Sequence, residues 1–208
     1  MAKPDFTGSA ARKEVAEAIR GVEQATSAEI VVAVRPHAGF YRHADYLVGF
    51  AASFVALLVF LFDPHEFSID WMPVDTLIAF AMGTLLSAGV APLRRALTSR
   101  RFMANNVRTA ARAAFVDLGV GKTSGRSGIL VFAAMFERRV EVVTDVGIDW
   151  AVLGPAFAQA VASLERAVQR GPSLPAFVGA LRSLGPILGK ALPRLAGDIN
   201  ELPDEPSA

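Results

Sequence analysis

Glu29, Thr123, Arg126, Arg138 and Asp145 are the polar residues best placed to do chemistry in this chain, because each abuts a nearly continuous apolar run. A guanidinium can hold a carboxylate through two parallel hydrogen bonds. A charge at the end of a buried strand loses hydration unless it is paired. Arg126 is therefore expected to pair with Glu29 or Asp145 at one edge of a sheet. Glu29, Thr123, Arg126 and Asp145 together form the candidate binding set, read either as a network that fixes strand ends or as a small polar site. Glu137 and Arg138 fall at the opposite end, on a hairpin tip, where solvation is expected.

Other motifs point to little chemistry. Val120-Gly121-Lys122-Thr123 is close to the end of a phosphate loop, but Val116 stands where that loop needs its first glycine. The context is also reversed, since a phosphate loop follows a strand and opens a helix, and here a helix ends and a strand begins. A helix-to-strand turn that needs glycine for its backbone angles is the better account. His37, His43 and His65 are the histidines, and only His37 and His43, with Asp45, are near enough in sequence to share a metal. A metal site needs three or four converging ligands, so interfacial polar roles are expected of them and no cofactor is. There is no G-x-S-x-G nucleophile motif. The chain has no cysteine, which excludes disulfides and cysteine-ligated zinc.

The elements that position these residues can be read from periodicity. Residues 9–25 place Val15, Ala18, Ile19 and Val22 on one helical stripe. Residues 29–34 (EIVVAV) form an apolar, β-branched strand ended by Pro36. A second helix is expected over 102–118, with Val107, Ala111 and Leu118 on one face and Gly119 as its cap. Strands follow at 128–136 and 139–145. In the latter, Val140 and Val142 face one way and Glu141 the other, so that strand is expected to be half exposed. Trp150–Gln169 and 174–188 read as helices, the second interrupted at Gly185-Pro186. Residues 197–208 are acidic and proline-containing and are expected to form a flexible tail. The first two strands, separated by a long connection, are expected to pair in parallel, with the third added antiparallel.

Two uncharged runs, 46–62 and 76–93, interrupt this domain. Each approaches the length an α-helix needs to cross about 30 Å of hydrocarbon. The alternative, a long buried hairpin in a soluble core, is disfavoured because core helices are usually shorter. Arg35 and Arg42 precede the first run, and Arg94, Arg95, Arg100 and Arg101 follow the second. The link carries Asp63, Glu66 and Asp70 and no Lys or Arg. That asymmetry predicts two spans with both termini cytoplasmic, and Tyr46 and Trp71 suit the interface. Gly49 and Ser53, and Gly83 and Ser87, form small-residue faces that either pack the hairpin on itself or dock another membrane protein. The composition agrees: 52% hydrophobic, mean hydropathy +0.38 and net charge +1. So balanced a charge argues against a nucleic-acid partner; the local arginines suit topology and anionic lipid head groups. No short basic region opens a cleavable signal peptide.

TSAEIVVAV (26–34), GKTSGRSGILVFAAMFERRVEVVTDVGI (121–148) and the tail INELPD (199–204) resemble the membrane-bound branch of the TPM-domain family. Similar there are an acidic strand entry, a T-x-x-R-x-G-[IV]-L strand and an E-R-x-V-E-V hairpin ending in D-x-G-I. The resemblance covers nearly the whole chain, including the membrane insertion after the first strand. It implies a small mixed sheet flanked by helices, and it associates some members with phosphatase activity or with repair and assembly of membrane complexes. This chain lacks the acidic loop cluster of the enzyme-like members.

The expected protein is thus of the α+β class: a small mixed sheet flanked by helices, with an inserted two-helix transmembrane hairpin. Residues 1–45 and 96–170 are expected to form one cytoplasmic domain, 46–95 the hairpin, and 171–196 a separate helical segment. The expected role is a non-catalytic accessory or assembly subunit in the cytoplasmic membrane. Its partners would be the lipid bilayer and a membrane protein or a second copy. A weak metal-assisted phosphatase is the alternative.

Overall fold

The computed structural model describes residues 6, 8–64, 67–194 and 200–207. His65, Glu66 and Ile199, all used in the sequence reading, lie outside the described residues. The fold is α+β: among the described residues three strands, β1 (Glu29–Arg35), β2 (Gly128–Ala134) and β3 (Arg139–Thr144), stand with eight helices. The strand order is β1-β2-β3. β1 and β2 pair in parallel from Glu29↔Gly128 to Arg35↔Ala134. β2 and β3 pair antiparallel from Ile129↔Thr144 to Ala134↔Arg139.

β1 and β2 are buried on both faces, which is why their sequences run apolar without alternation. One face, with Ile30, Val32, Ile129 and Val131, packs on helices α1 (Ser9–Glu23), α6 (Trp150–Gln169), α7 (Leu174–Arg182) and α8 (Leu184–Ala191). The other, with Val31, Ala33, Leu130 and Phe132, packs on Val107, Ala111 and Ala114 of α5 (Arg100–Asp117). The period-2 alternation of a strand delivers successive residues to the two layers. β3 is half exposed, with Val140 buried and Glu141 turned toward Arg108 at 3.5 Å.

The chain divides into two compact units, residues 1–38 with 104–208, and residues 39–103. The first includes α7 and α8, whose Phe177, Leu181, Leu184 and Leu188 are fully buried in the same core as α1 and β1. A stripe that apolar has to be covered, and α1 and α6 cover it. Two local readings also change. α6 is broken at Gly154 (φ 65°, ψ −167°) before Pro155, a left-handed backbone angle that glycine accepts without strain. The break between α7 and α8 falls at Ser183, and Gly185-Pro186 lies in the first turn of α8, where a missing N–H costs nothing. The β2–β3 turn does without Gly or Asn by placing Arg138 at φ 54°.

The second unit holds α2 (Arg42–Phe62), α3 (Met72–Gly89) and the short α4 (Ala91–Leu97). α2 starts four residues before the uncharged run, because Arg42 and Asp45 are accepted into its first turn. The second run is not one helix: it breaks at Val90, ahead of Pro92. α2 and α3 pack antiparallel at close range. A Cβ on Gly49 would lie 2.3 Å from Thr84 Oγ1 and 2.8 Å from the Phe80 carbonyl oxygen, and one on Gly83 would lie 2.8 Å from Ala52 Cβ.

The start of β2 tolerates no side chain. A Cβ on Gly128 would lie 2.1 Å from the Val120 carbonyl oxygen. Gly128→Ala is expected to cost at least about 2–3 kcal/mol, since the obstruction is backbone, and to lower the melting temperature by roughly 5–10 °C. Gly21→Ala, with no atom within 4 Å of its Cβ, is expected to leave stability unchanged or raise it by up to about 1 kcal/mol. Thermal melts of the detergent-solubilised variants check both.

Candidate functional site

The strand-end edge is built from the turn that enters β2. α5 ends, Gly119 turns left-handed (φ 67°), and a single 3-10 turn spans Val120–Lys122. Thr123, buried, accepts from Ser127 N at its Oγ1 (3.1 Å) and from Arg126 N at its carbonyl (3.1 Å). This closes a loop with Arg126 at φ 52°, an uncommon angle for a side-chain-bearing residue. Arg126 thereby reaches Asp145: Nη2 lies 3.1 Å from Oδ1, and Nη1 donates to the Gly121 carbonyl at 2.7 Å. The side chains are 55% and 4% exposed, so a largely solvated cation meets a buried carboxylate.

Backbone bonds tie the same place together. Asp145 N donates to Gly128 O (2.9 Å), Gly147 N to Arg126 O (3.0 Å), and Val146 N to Asp145 Oδ1 (2.7 Å). A Cβ on Gly147 would lie 2.5 Å from the Arg126 carbonyl oxygen, so only glycine fits. The D-x-G sequence after β3 is thus a clasp on the entry to β2.

Of the four predicted residues, Thr123, Arg126 and Asp145 come together, and Arg126 chooses Asp145 over Glu29. Glu29 is buried on the outer flank and lines a 230 Å³ cavity with Arg20, Glu23, Thr26, Asn200 and Asp204. Glu23 is the focus of that cavity. Its Oε1 accepts from Ile30 N at 2.9 Å. Burial pushes its carboxyl up to about 8, the charges of Glu29 and Asp204 add to this, and the Ile30 hydrogen bond opposes it. Glu23 escaped the sequence reading, although an acid in the last turn of a helix faces the negative end of the dipole and is a signal in itself. Glu137, expected to be solvated, is buried and accepts from Ala38 N at 2.8 Å. The reason is the connection after β1, which runs over the β2–β3 turn and needs an acceptor there.

The hairpin has its own polar site. Asp45, 5% exposed, accepts from Ser87 Oγ (2.9 Å), Arg94 Nε (2.9 Å) and Arg94 Nη2 (2.8 Å). The fork-on-carboxylate geometry is the strong form of such a pair. Ser53 Oγ donates to the Thr76 carbonyl at 3.1 Å. All four small residues, Gly49, Ser53, Gly83 and Ser87, therefore face the inside of the hairpin. Asp45 is committed to Arg94, and His43 packs edge-on against Tyr41 and Phe102. Among the described residues no group of three or more His, Asp or Glu side chains is placed to hold a metal ion. The Asp45–Arg94 match was available in sequence as opposite charges at the same end of two spans, where an ionisable group calls for a named partner.

Arg94→Ala is expected to cost about 3–5 kcal/mol, because Asp45 is left buried without its cation, and Asp45→Ala less, because Arg94 is 26% exposed. The Asp45→Ala/Arg94→Ala double variant is expected to be milder than the sum of the two. A double-mutant cycle on hairpin protease resistance checks this. Arg126→Ala is expected to cost only about 1–2 kcal/mol, between the exposed and buried limits, because Val146 N still binds Asp145; a urea titration in detergent measures it.

No family model and no curated protein matches this sequence. A solved structure, the NMR structure of the BA42 protein from the psychrophilic bacterium Bizionia argentinensis, is similar over 100% of this chain and 99% of that one, with a TM-score of 0.58 and 18% sequence identity. At that identity the likeness is one of fold.

Proposed function

We propose that this protein is an integral membrane protein that crosses the bilayer twice, through α2 and α3. Its α+β domain, of TPM type, lies on the cytoplasmic side, and it serves as a non-catalytic accessory or assembly subunit of a membrane complex. The observation that carries this reading is the inside-out hairpin. Its interior holds Asp45, Gly49, Gly83 and Ser87, while Phe50 (66%), Leu77 (69%) and Leu85 (71%) are exposed. Both helices are long and apolar enough to cross a membrane, and only 11% of each apolar window is buried. A core helix of a soluble protein would hide that face. Apolar surface on this scale marks contact with a membrane or a protein, and each exposed large side chain would gain about 1.5–3 kcal/mol from leaving water.

Charge supports the orientation. Arg42, Arg94, Arg95, Arg100 and Arg101 stand at one end of the hairpin, and the opposite link carries Asp63 and Asp70 without a positive charge. The sequence resemblance described above supports the accessory role, as does the use of the strand-end residues as a clasp. A membrane partner, or a second copy, would meet the outward apolar faces of α2 and α3.

Carbonate extraction is expected to leave the protein in the membrane pellet. Alkaline phosphatase is expected to be active when fused within 63–73 and inactive after residue 208, with the reverse for green fluorescent protein. Recovery in the carbonate supernatant would remove the membrane reading. Hydrolysis of a generic phosphate ester by the purified protein with Ca²⁺ or Mg²⁺ would replace the non-catalytic one.

A further inference from the structure

The outer edge of β1 is closed by a piece of chain that the sequence marked as a flexible tail. Residues 200–207 lie along the first unit in an ordered path. Ser207 N donates to Val32 O (2.9 Å) and Val34 N to Ser207 O (2.8 Å), a parallel bridge beside Ala33. Arg35 Nη2 donates to Ser207 Oγ at 3.1 Å. Pro206 is buried, and Leu202 packs against the core layer under α5. Glu201 accepts from Ser124 N (2.9 Å) and Ser124 Oγ (2.6 Å). These hydrogen bonds hold its carboxyl below the ordinary range.

The segment is acidic, and the α1 face it runs beside is basic. A 490 Å³ groove between them is lined by Arg12, Lys13 and Arg20 from α1 and by Asp204 and Glu205 from the segment. Arg20 lies 3.9 Å from Asp204. One contact runs against this charge match. The Asp204 carboxyl hydrogen-bonds that of Glu23, and Glu29 adds a third acid, with Arg20 and Arg194 the cations on the same cavity. Two carboxyls can share a hydrogen bond only while one keeps its proton.

We infer that residues 200–207 are a strap over the open edge of β1, latched by the hydrogen bond that protonated Glu23 donates to Asp204 and loosened when Glu23 loses its proton. Its release bares Val32 O and Val34 N, an unpaired strand edge that accepts an extended peptide by strand addition. The sign follows from linkage. In the docked state Glu23 keeps its proton up to about 8, against an ordinary value of 4.5. Burial is the largest cause of that rise and stays when the strap leaves, whereas the Asp204 contacts are lost, so docking is strongest at low pH, weakens as pH rises toward about 8 and levels off above it. On that decline the docked-to-released ratio falls by at most about tenfold per pH unit. The other charged groups that face the latch are Glu29, Arg20 and Arg194, with Arg12, Lys13 and Glu205 along the groove.

The chain has no cysteine, so a spin label on Glu205→Cys reports the strap alone in the full-length protein in detergent. A sharp, mobile component in its spectrum is expected to grow between pH 6.5 and 9, while far-UV circular dichroism stays constant. Glu23→Gln in the labelled protein is expected to keep the strap immobile across that range, since the amide donates where the proton did. Asp204→Asn, which lies in the strap and leaves the core untouched, is expected to do the same. A label equally immobile at pH 6.5 and 9 would overturn the inference, as would an unchanged transition in both variants, or mobility that appears only with loss of ellipticity.

Discussion

The parallel pairing of β1 with β2 is the contact on which the rest of the molecule depends. β1 comes from before the hairpin and β2 from after α5, so no local turn can set their register. It is set by burial on both faces: Ile30, Val32, Ile129 and Val131 look into one layer, and Val31, Ala33, Leu130 and Phe132 into the other. A one-residue slip would still bury apolar groups, so packing alone specifies the register weakly. The clasp at the strand entry supplies what packing lacks. Gly128, pressed on the Val120 carbonyl, and Asp145, bonded to Gly128 O and Arg126, fit at only one position along β2. Three of the polar residues that first suggested a binding site, Thr123, Arg126 and Asp145, thus serve as a register lock for an apolar sheet.

The same sheet has two edges to manage. A three-stranded sheet offers rows of free N–H and C=O groups on both sides, and an open row invites another chain. On the outer side of β1, Ile30 N is met by the Glu23 carboxyl, and Val32 O and Val34 N by Ser207. Each closure uses a different device: a side chain from the preceding helix, then a strand from the far end of the described chain. The side-chain device buries an acid among acids, which is why Glu23 holds its proton so far above the ordinary carboxylate range. A closure built on a proton is weaker than one built on a ladder, and that difference in strength lets one edge open while the sheet stays intact.

How much of this was legible in the sequence depends on the range of the interaction involved. Val15, Ala18, Ile19 and Val22 announce the buried stripe of α1 because a helix repeats within a few residues. β1 and β2 announce themselves by nearly continuous apolar runs. Gly119 was readable as a cap because a left-handed residue there has a local cause. The kink at Gly154-Pro155 was also local, and was passed over because the apolar spacing on either side stays in phase. What could not be read were partners far apart in the chain. Glu23 with Asp204, Glu137 with Ala38 and Ser124 with Glu201 are each joined only by the fold. The acidic, proline-bearing composition of 200–207 fits a solvated tail, and nothing in it discloses that β1 has an open edge to fill.

The position of the hairpin follows from the same topology. Two parallel strands cannot be joined by a tight turn; they require a crossover long enough to return to the starting end of the sheet. That connection already has to leave the sheet and come back, so helices added within it leave the strand register unchanged. The entropic cost of lengthening a loop grows only logarithmically, and here it is smaller still, because α2 and α3 form a compact unit of their own. Gly49 against Gly83 and Asp45 against Arg94 make that unit self-sufficient: its close packing and its buried charge are both satisfied within residues 39–103. A β2–β3 insertion would instead split the antiparallel turn at Arg138 and pull Glu137 from Ala38 N. Of the two connections in this sheet, the crossover alone can carry such an addition without loss of a strand contact.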